Sequence, residues 1–444
     1  MGDCLEYRKS IPVRHRVDVF VAGGGPAGAA AAVTAARQGA RVYLAEGHSC
    51  LGGLGTAGMV PLFMQFKDGV NFLAGGIGEE IRQRLIESGG TGPDDDPDNP
   101  LGIIRIRAEA LKRLYDDLLL EAGVDFTFHT SVIDAAVSSG RIEQAVCSAK
   151  SGLFAVEAGA YVDATGDGDL AVRAGAPFEK GSESGDLMGG TLCTLWAGID
   201  WEEVRKSGIS QSDRLEEAFR DGILTVEDRH LPGMFRVGER LGGGNIGHTY
   251  GVDGSDERSL TEGLLRGRKL AVEYERYYRE YLRGYEAMEL VASGSLLGIR
   301  ESRRIMGDYV LGLKDFRERA VFDDEIGRYA YPVDIHEADA RPESHSRFEK
   351  EFRELRYGKG ESYGIPLRSL IPRNVENLLV AGRCISSDRY IQSSLRVMPG
   401  CYITGQAAGA AAALAAETSS GMRGIDGDEL RRRLKAMGAY LPNA

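Results

Sequence analysis

Residues 17–46 read VDVFVAGGGPAGAAAAVTAARQGARVYLAE, and this stretch restricts the fold more than any other. An apolar run enters a glycine turn, an alanine-rich helix follows, and a second apolar run ends in an acid. Gly23, Gly25 and Gly28 stand at G-x-G-x-x-G spacing. The first glycine permits a tight turn, the second lets a diphosphate approach the backbone, and the third lets helix and strand pack closely. The diphosphate would rest on the helix N-terminus, where free N–H groups and the helix dipole favour negative charge by about 0.3–1 kcal/mol. Glu46 closes the second run, placed to accept both hydroxyls of a ribose and to repel a 2′-phosphate. The glycine spacing alone is a weak signal, but strand, turn, helix, strand and acid in succession make a specific one. The stretch predicts a Rossmann-like unit that holds a dinucleotide, FAD or NAD in preference to NADP.

The 444 residues carry a formal charge of −12, which argues against nucleic acid or an anionic membrane as the main partner. The opening residues lack the apolar core of a signal peptide, and Glu6 stands where acylation of Gly2 would require Ser or Thr. No apolar run approaches the length of a membrane span. The six cysteines, Cys4, Cys50, Cys147, Cys193, Cys384 and Cys401, form no C-x-x-C pair. Scattered thiols of this kind fit a reducing compartment, with neither a disulfide framework nor a zinc site. The expectation is a soluble cytoplasmic protein without a bound metal.

Past Glu46, a second glycine-rich segment with Gly52, Gly53 and Thr56 would bring backbone close to the same ligand. Helices are expected over 75–90 and 107–121, then a small β-meander over 124–162 that runs into an Ala-Thr-Gly segment containing Ala164 and Gly166. Asp167 and Asp169 are placed to cap the helix after it. From 181 to 364 the chain turns to aromatic runs, charged helices (201–207, 212–221, 260–283) and polar loops. A second G-x-G-x-x-G here, Gly242, Gly244 and Gly247, has no strand before it and no helix after it, so it fails as a nucleotide site. The last part returns to the style of the first. A strand at 377–381 ends at Gly382, and a helix rich in alanine and glycine spans 399–417, its start near Arg396 electropositive. Chain ends that both read as cofactor framework predict an α/β fold. Its cofactor domain is discontinuous (1–180 and 365–444), with an inserted α+β substrate or cap domain (181–364).

The motifs VAGGGPAGAAAA, LGGLGTAG, VDATGDGDLAVRAGA, GIRESRRIMGDYVL, YPVDIH, YGIPLRSLIP, and NLLVAGRCISS through RVMPGCYITGQAAGAAAALA cover most of the chain. Together they resemble the FAD-dependent oxidoreductases akin to the fumarate reductase and succinate dehydrogenase flavoproteins. The resemblance implies a Rossmann-like FAD-binding domain of the glutathione-reductase type, with FAD extended. It puts Gly23, Gly25, Gly28 and Glu46 at the ADP half, and Gly52, Gly53 and Thr56 by the pyrophosphate and ribitol. Ala164 and Gly166 belong to the shared Ala-Thr-Gly segment, and Gly382, with Arg383 after it, ends a strand near the ribitol. The helix start at Arg396, Val397 and Met398 would aim its amides at the flavin's pyrimidine carbonyl. Two features depart from the pattern: Arg383 stands where such proteins often carry an acid, and SSDRYIQ where a histidine is common. His48 precedes the glycine doublet, as does the flavin-linking histidine of the respiratory relatives, but at a different spacing.

Hydride transfer to or from a flavin needs a proton mover and a charge that holds the substrate. His248 and His336 are the expected proton movers, since histidine titrates near neutral pH. Arg300 and Arg396 are expected to bind an anionic substrate or to donate the proton; the plainer alternative is an ion pair with Glu301 or Asp308, or a contact to phosphate. Cys384 and Cys401 are expected to be buried thiols. The function expected is that of an FAD-dependent dehydrogenase or reductase, passing hydride between a small organic substrate and flavin N5. Its electron acceptor is unknown, and a homo-oligomer stays open. Two alternatives stand beside it: a flavin monooxygenase, and a flavin-free protein of the thiazole-synthase kind that holds NAD or ADP-ribose.

Overall fold

The computed structural model describes residues 5, 8–230 and 233–443; Gly2, Cys4 and Glu6 lie outside them. Strand β1 (Val13–Ala22) buries Val19, Phe20, Val21 and Ala22 completely and ends at Gly23, whose φ of +88° is natural only to glycine. Pro26 then opens helix α1 (Pro26–Arg37), where its missing N–H costs nothing, and alanine, the best helix former, fills most of the rest. Strand β2 (Val42–Ala45) returns parallel to β1, with Val19 opposite Val42 and Ala22 opposite Ala45. This is the expected strand–helix–strand unit.

Helix α2 (Ala108–Glu121) leads into β3 (Asp125–Thr127), which joins the far edge of β2 in parallel. The expected meander therefore starts one strand later than the sequence suggested. Gly123, at φ +73°, turns the chain so that these residues fall beside β2, and the Glu46 amide donates to the Thr127 carbonyl at 3.0 Å. Antiparallel strands β4 (Thr130–Ser138), β5 (Arg141–Ala149) and β6 (Gly152–Asp163) form the meander. Beyond its hairpin half, β6 runs on parallel to β1 until Asp163 lies opposite Ala22.

The middle of the chain builds a separate antiparallel sheet. Its strands β7 (Thr194–Ala197), β8 (Gly233–Arg236), β9 (Gly242–Asn245) and β10 (Glu289–Ser293) lie in the order β8-β9-β7-β10. Helix α3 (Glu257–Tyr281) contributes Tyr274, Tyr277 and Tyr278 to a core with Trp196 and Met288. The second glycine pattern serves this packing: a Cβ on Gly244 would come within 2.5 Å of Thr194 Oγ1 and 2.9 Å of Trp196 Nε1.

The chain then rejoins the first core. Ile305, Tyr329, Val333 and Ile335 pack with the residues of β1 and β2. Strand β11 (Leu378–Val380) pairs parallel with β6, completing a seven-stranded sheet of order β3-β2-β1-β6-β5-β4 with β11 attached to β6. Short helix α4 (Arg389–Leu395) is followed by α5 (Met398–Thr418), buried from Met398 to Ala415. A Cβ on Gly405 would lie 2.2 Å from the Ala27 carbonyl oxygen, and one on Gly409 2.2 Å from that of Ala31, so α1 and α5 cross backbone to backbone. Among the described residues, no helix is long and apolar enough to cross a membrane.

Candidate active site

A cavity of about 800 Å³ opens at the C-terminal ends of β1, β2, β6 and β11, the usual ligand position on a parallel sheet. Gly23, Gly25 and Gly53 line it beside Glu46; Ala164 and Gly166 line it after β6; Gly382, Arg383, Val397 and Met398 line it on the return. Gly28, Gly52 and Thr56 stand behind this wall. A Cβ on Gly28 would fall 1.8 Å from the Gly23 oxygen, so this glycine lets α1 seat on β1. The Gly52 amide donates to the Gly24 carbonyl at 2.8 Å, and the Thr56 hydroxyl donates to the Leu51 carbonyl, closing the second glycine turn.

Glu46 is buried, and its carboxylate is fixed on both sides: Oε2 accepts the Gly24 N–H at 2.6 Å and Oε1 the His48 N–H at 2.7 Å. At Gly25 an added Cβ would meet nothing within 4 Å, so bare backbone faces open space where a diphosphate would come closest. Residues at the starts of α1 and α5 line the same cavity, setting two helix N-termini toward one ligand. Bare glycine backbone, a strand-end acid and paired helix starts fit FAD.

The turn after β6 is held from inside. Asp163 accepts hydrogen bonds from the Thr165 amide and hydroxyl and from the Ala171 amide, while complete burial pushes its pKa up to about 6. Asp167 and Asp169, expected as helix caps, do other work. The helix start falls on Gly168 in the left-handed region, and both acids turn away to arginines. Asp167 pairs with Arg383 at 2.6 Å, and Asp169 with Arg303 at 2.7 Å. Arg383 also donates to the Gly166 carbonyl at 2.9 Å and the Ile299 carbonyl at 2.9 Å, so it ties three segments together at the cavity edge.

Arg300, Arg396 and His336 line the other part of the cavity. Arg300 makes neither ion pair that the sequence offered. Glu301 is taken by Arg304 at 2.8 Å and Arg389 at 3.0 Å, and Asp308 by Arg423 at 2.9 Å. Among the described residues, Arg300 donates to the Gly189 carbonyl at 2.7 Å and Thr191 Oγ1 at 2.9 Å. Burial, reinforced by nearby Arg396, outweighs the attraction of Asp334 and pulls its pKa down to about 10, so it stays charged at neutral pH, and among the described residues no acid lies within ion-pair distance of it.

Beside it runs a buried chain of polar side chains. Asp228 Oδ2 meets His248 Nδ1 at 2.7 Å, His248 Nε2 meets His336 Nδ1 at 2.8 Å, and His336 Nε2 faces Asp334 Oδ1 at 3.4 Å. Asp334 is held in turn by Arg396 at 3.0 Å. Burial and the positive field of Arg300 lower the His336 pKa far below the ordinary range, so the ring is neutral at physiological pH. Burial alone would raise the Asp334 pKa, but the positive field around it, with the Arg396 guanidinium 3.0 Å away, outweighs burial and holds the carboxylate ionised. His248 does not line the large cavity; it reaches it through His336.

Four of the seven histidines gather here, since His230 lies 4.5 Å from His336, the rings tilted, and 6.3 Å from His345, edge to face, between ring centroids. His230 and His345 also line the cavity. Burial drives the His230 pKa down to about 3. Asp228, His230, Asp334 and His345 were not among the residues expected from the sequence. A signal for three of them existed: the pattern Asp-x-His occurs at 228–230 and again at 334–336, which on extended backbone sets acid and ring on one side. Cys384 is buried with its thiol pKa well raised, and burial pushes that of Cys401 up to about 12, so neither is a ready nucleophile. Among the described residues, no group of histidine, cysteine and acids has the arrangement to hold a metal ion.

Comparison with curated proteins finds no match. Solved structures similar to the chain include a geranylgeranyl bacteriochlorophyll reductase-like protein from Thermoplasma acidophilum, 13% identical over 95% of this chain and 83% of the other, TM-score 0.45. The flavin-dependent brominase Bmp2 is 11% identical over 95% and 83%, TM-score 0.46. The p-nitrophenol 4-monooxygenase PnpA from Pseudomonas putida is 12% identical over 95% and 84%, TM-score 0.43. The model of the family described as FAD dependent oxidoreductase matches residues 18–434, nearly the whole chain and both walls of the cavity. That match sets aside the flavin-free reading. This protein belongs to the FAD-dependent oxidoreductase family and is an enzyme with FAD as its cofactor.

Proposed function

We propose that the enzyme is a dehydrogenase or reductase that passes hydride between a small organic anion and flavin N5, with His336 moving the accompanying proton. One observation supports this above the rest: a neutral, buried histidine and an arginine without an acid partner share the cavity that fits FAD. Bound FAD supplies a two-electron acceptor or donor.

The backbone at Gly23, Gly25 and Gly53 would hold the diphosphate, Glu46 a ribose, and the start of α5 at Val397 and Met398 the flavin's pyrimidine edge. Arg300 would receive a carboxylate or similar group, which supplies the counter-charge it lacks. Desolvation makes that pairing strong, since a hydrogen bond to a charged partner contributes about 1.5–3 kcal/mol. His336 offers a lone pair for a substrate proton, and the Asp334 carboxylate stabilises the ring once it is charged. Arg396 keeps Asp334 in place. In this account the cofactor domain takes 1–180 and 365–444, and residues 181–364 carry most of the substrate wall.

The test is anaerobic mixing of FAD-loaded protein with a panel of small hydroxy, amino and unsaturated acids, read as bleaching or return of flavin absorbance. An acid that exchanges electrons with the flavin, and does so about 10²–10⁴-fold more slowly with His336→Gln, supports the proposal. A reduced enzyme that instead transfers oxygen from O₂ to a substrate would replace it with a monooxygenase.

A further inference from the structure

The histidine pair has a direction, and Asp228 sets it. The Asp228 carboxylate faces donors on both oxygens: Oδ1 accepts the His230 N–H at 3.0 Å, while Oδ2 accepts the His248 N–H at 2.9 Å and meets its Nδ1 at 2.7 Å. An ionised carboxylate only accepts, so His248 must carry its proton on Nδ1. Its Nε2 is then a lone pair, and the 2.8 Å contact to His336 Nδ1 requires His336 to donate. That leaves His336 Nε2 bare. The contact from Nε2 to Asp334 is correspondingly long, 3.4 Å, as two acceptors facing each other should be.

We propose that Asp228 is a positioning residue that acts through His248 to fix both tautomers and so makes His336 Nε2 the base of the active site. This deepens the assignment of His336 made above and rests on it. A proton taken up at Nε2 is matched by transfer of the Nδ1 proton to His248 Nε2. The positive charge then moves off His336, where Arg300 repels it, onto His248, where Asp228 attracts it. Protons are conserved at each step and no further reactant is needed.

A second cavity of about 20 Å³ lies against the pair, bounded by Asp228, His248, His336, Glu337 and Asp339. It is large enough for one water, which needs about 10–15 Å³ and at least two polar partners. Asp339, on the same cavity, is partly exposed.

The experiment is ¹⁵N NMR of FAD-loaded protein with labelled histidine rings at neutral pH, the signals assigned with His248→Gln and His336→Gln. Both rings should show protonated Nδ1 and bare Nε2. In Asp228→Leu nothing accepts from His248 Nδ1, so neither tautomer is imposed and part of the His336 population should carry its proton on Nε2. A wild-type protein with His336 protonated on Nε2 overturns the proposal, and that spectrum decides even if Asp228→Leu does not fold. A folded Asp228→Leu with both rings still wholly protonated on Nδ1 also overturns it. The spectra require no substrate, so their outcome is separate from that of the flavin-reduction assay.

Discussion

Gly25 and Gly28 lie three residues apart and answer to different demands. Gly28 has no room for a side chain because the Gly23 oxygen occupies the place of its Cβ, whereas Gly25 borders open space. Gly25→Val should therefore give soluble protein that has lost its flavin, seen as a missing visible absorbance. Gly28→Val should unfold at lower denaturant, by about 1–3 kcal/mol or more, as overpacked sites do. The buried histidines make a second residue-level prediction. The unfolded chain binds a proton on His230 below about pH 6.5, but the folded protein refuses it until about pH 3. Stability is full above 6.5 and falls on acidification, by about 1.4 kcal/mol per pH unit for each such ring. Asp334, with its pKa lowered, adds a further loss only below about pH 4, where the unfolded carboxylate protonates. Urea unfolding between these limits should show a shallower pH slope for His230→Phe, by about one proton. The glycine fingerprint was legible because it reports local backbone geometry. The role of Asp228 was not, since His336 lies more than a hundred residues further on and the two meet only through the fold.

Helices α1 and α5 come from opposite ends of the chain and meet where neither has side chains to spare. Gly405 and Gly409 face the Ala27 and Ala31 carbonyls, a small-residue seam that fixes both helix starts against the cavity. Gly409→Leu should push the helices apart, lower stability by about 3 kcal/mol, and weaken FAD retention although it touches no part of the cavity wall. Fluorescence-monitored unfolding and flavin content after gel filtration measure the two effects. The helices themselves were readable from alanine and glycine content. Strand β3 was misread because three residues carry too little pattern to tell a parallel edge from a hairpin arm. Asp167 and Asp169 were misread as caps because Arg383 and Arg303, their real partners, arrive from 303 and 383, far along the chain.

At the scale of the molecule, FAD and fold support one another. The cavity is walled by both ends of the chain and by the middle segment, so ligand binding draws all three together. Removing FAD should lower the unfolding midpoint, by an amount equivalent to about 4 kcal/mol when free FAD had stood a thousandfold above its Kd. The most direct measurement is a crystal structure with FAD bound. Adenosine should lie by Glu46, diphosphate over Gly25 and Gly53, and the flavin ring by Met398, with Arg300 and His336 facing it across space for a small acid. A flavin ring lodged by Glu46 and His48, or one whose open face looks away from His336, would contradict this placement.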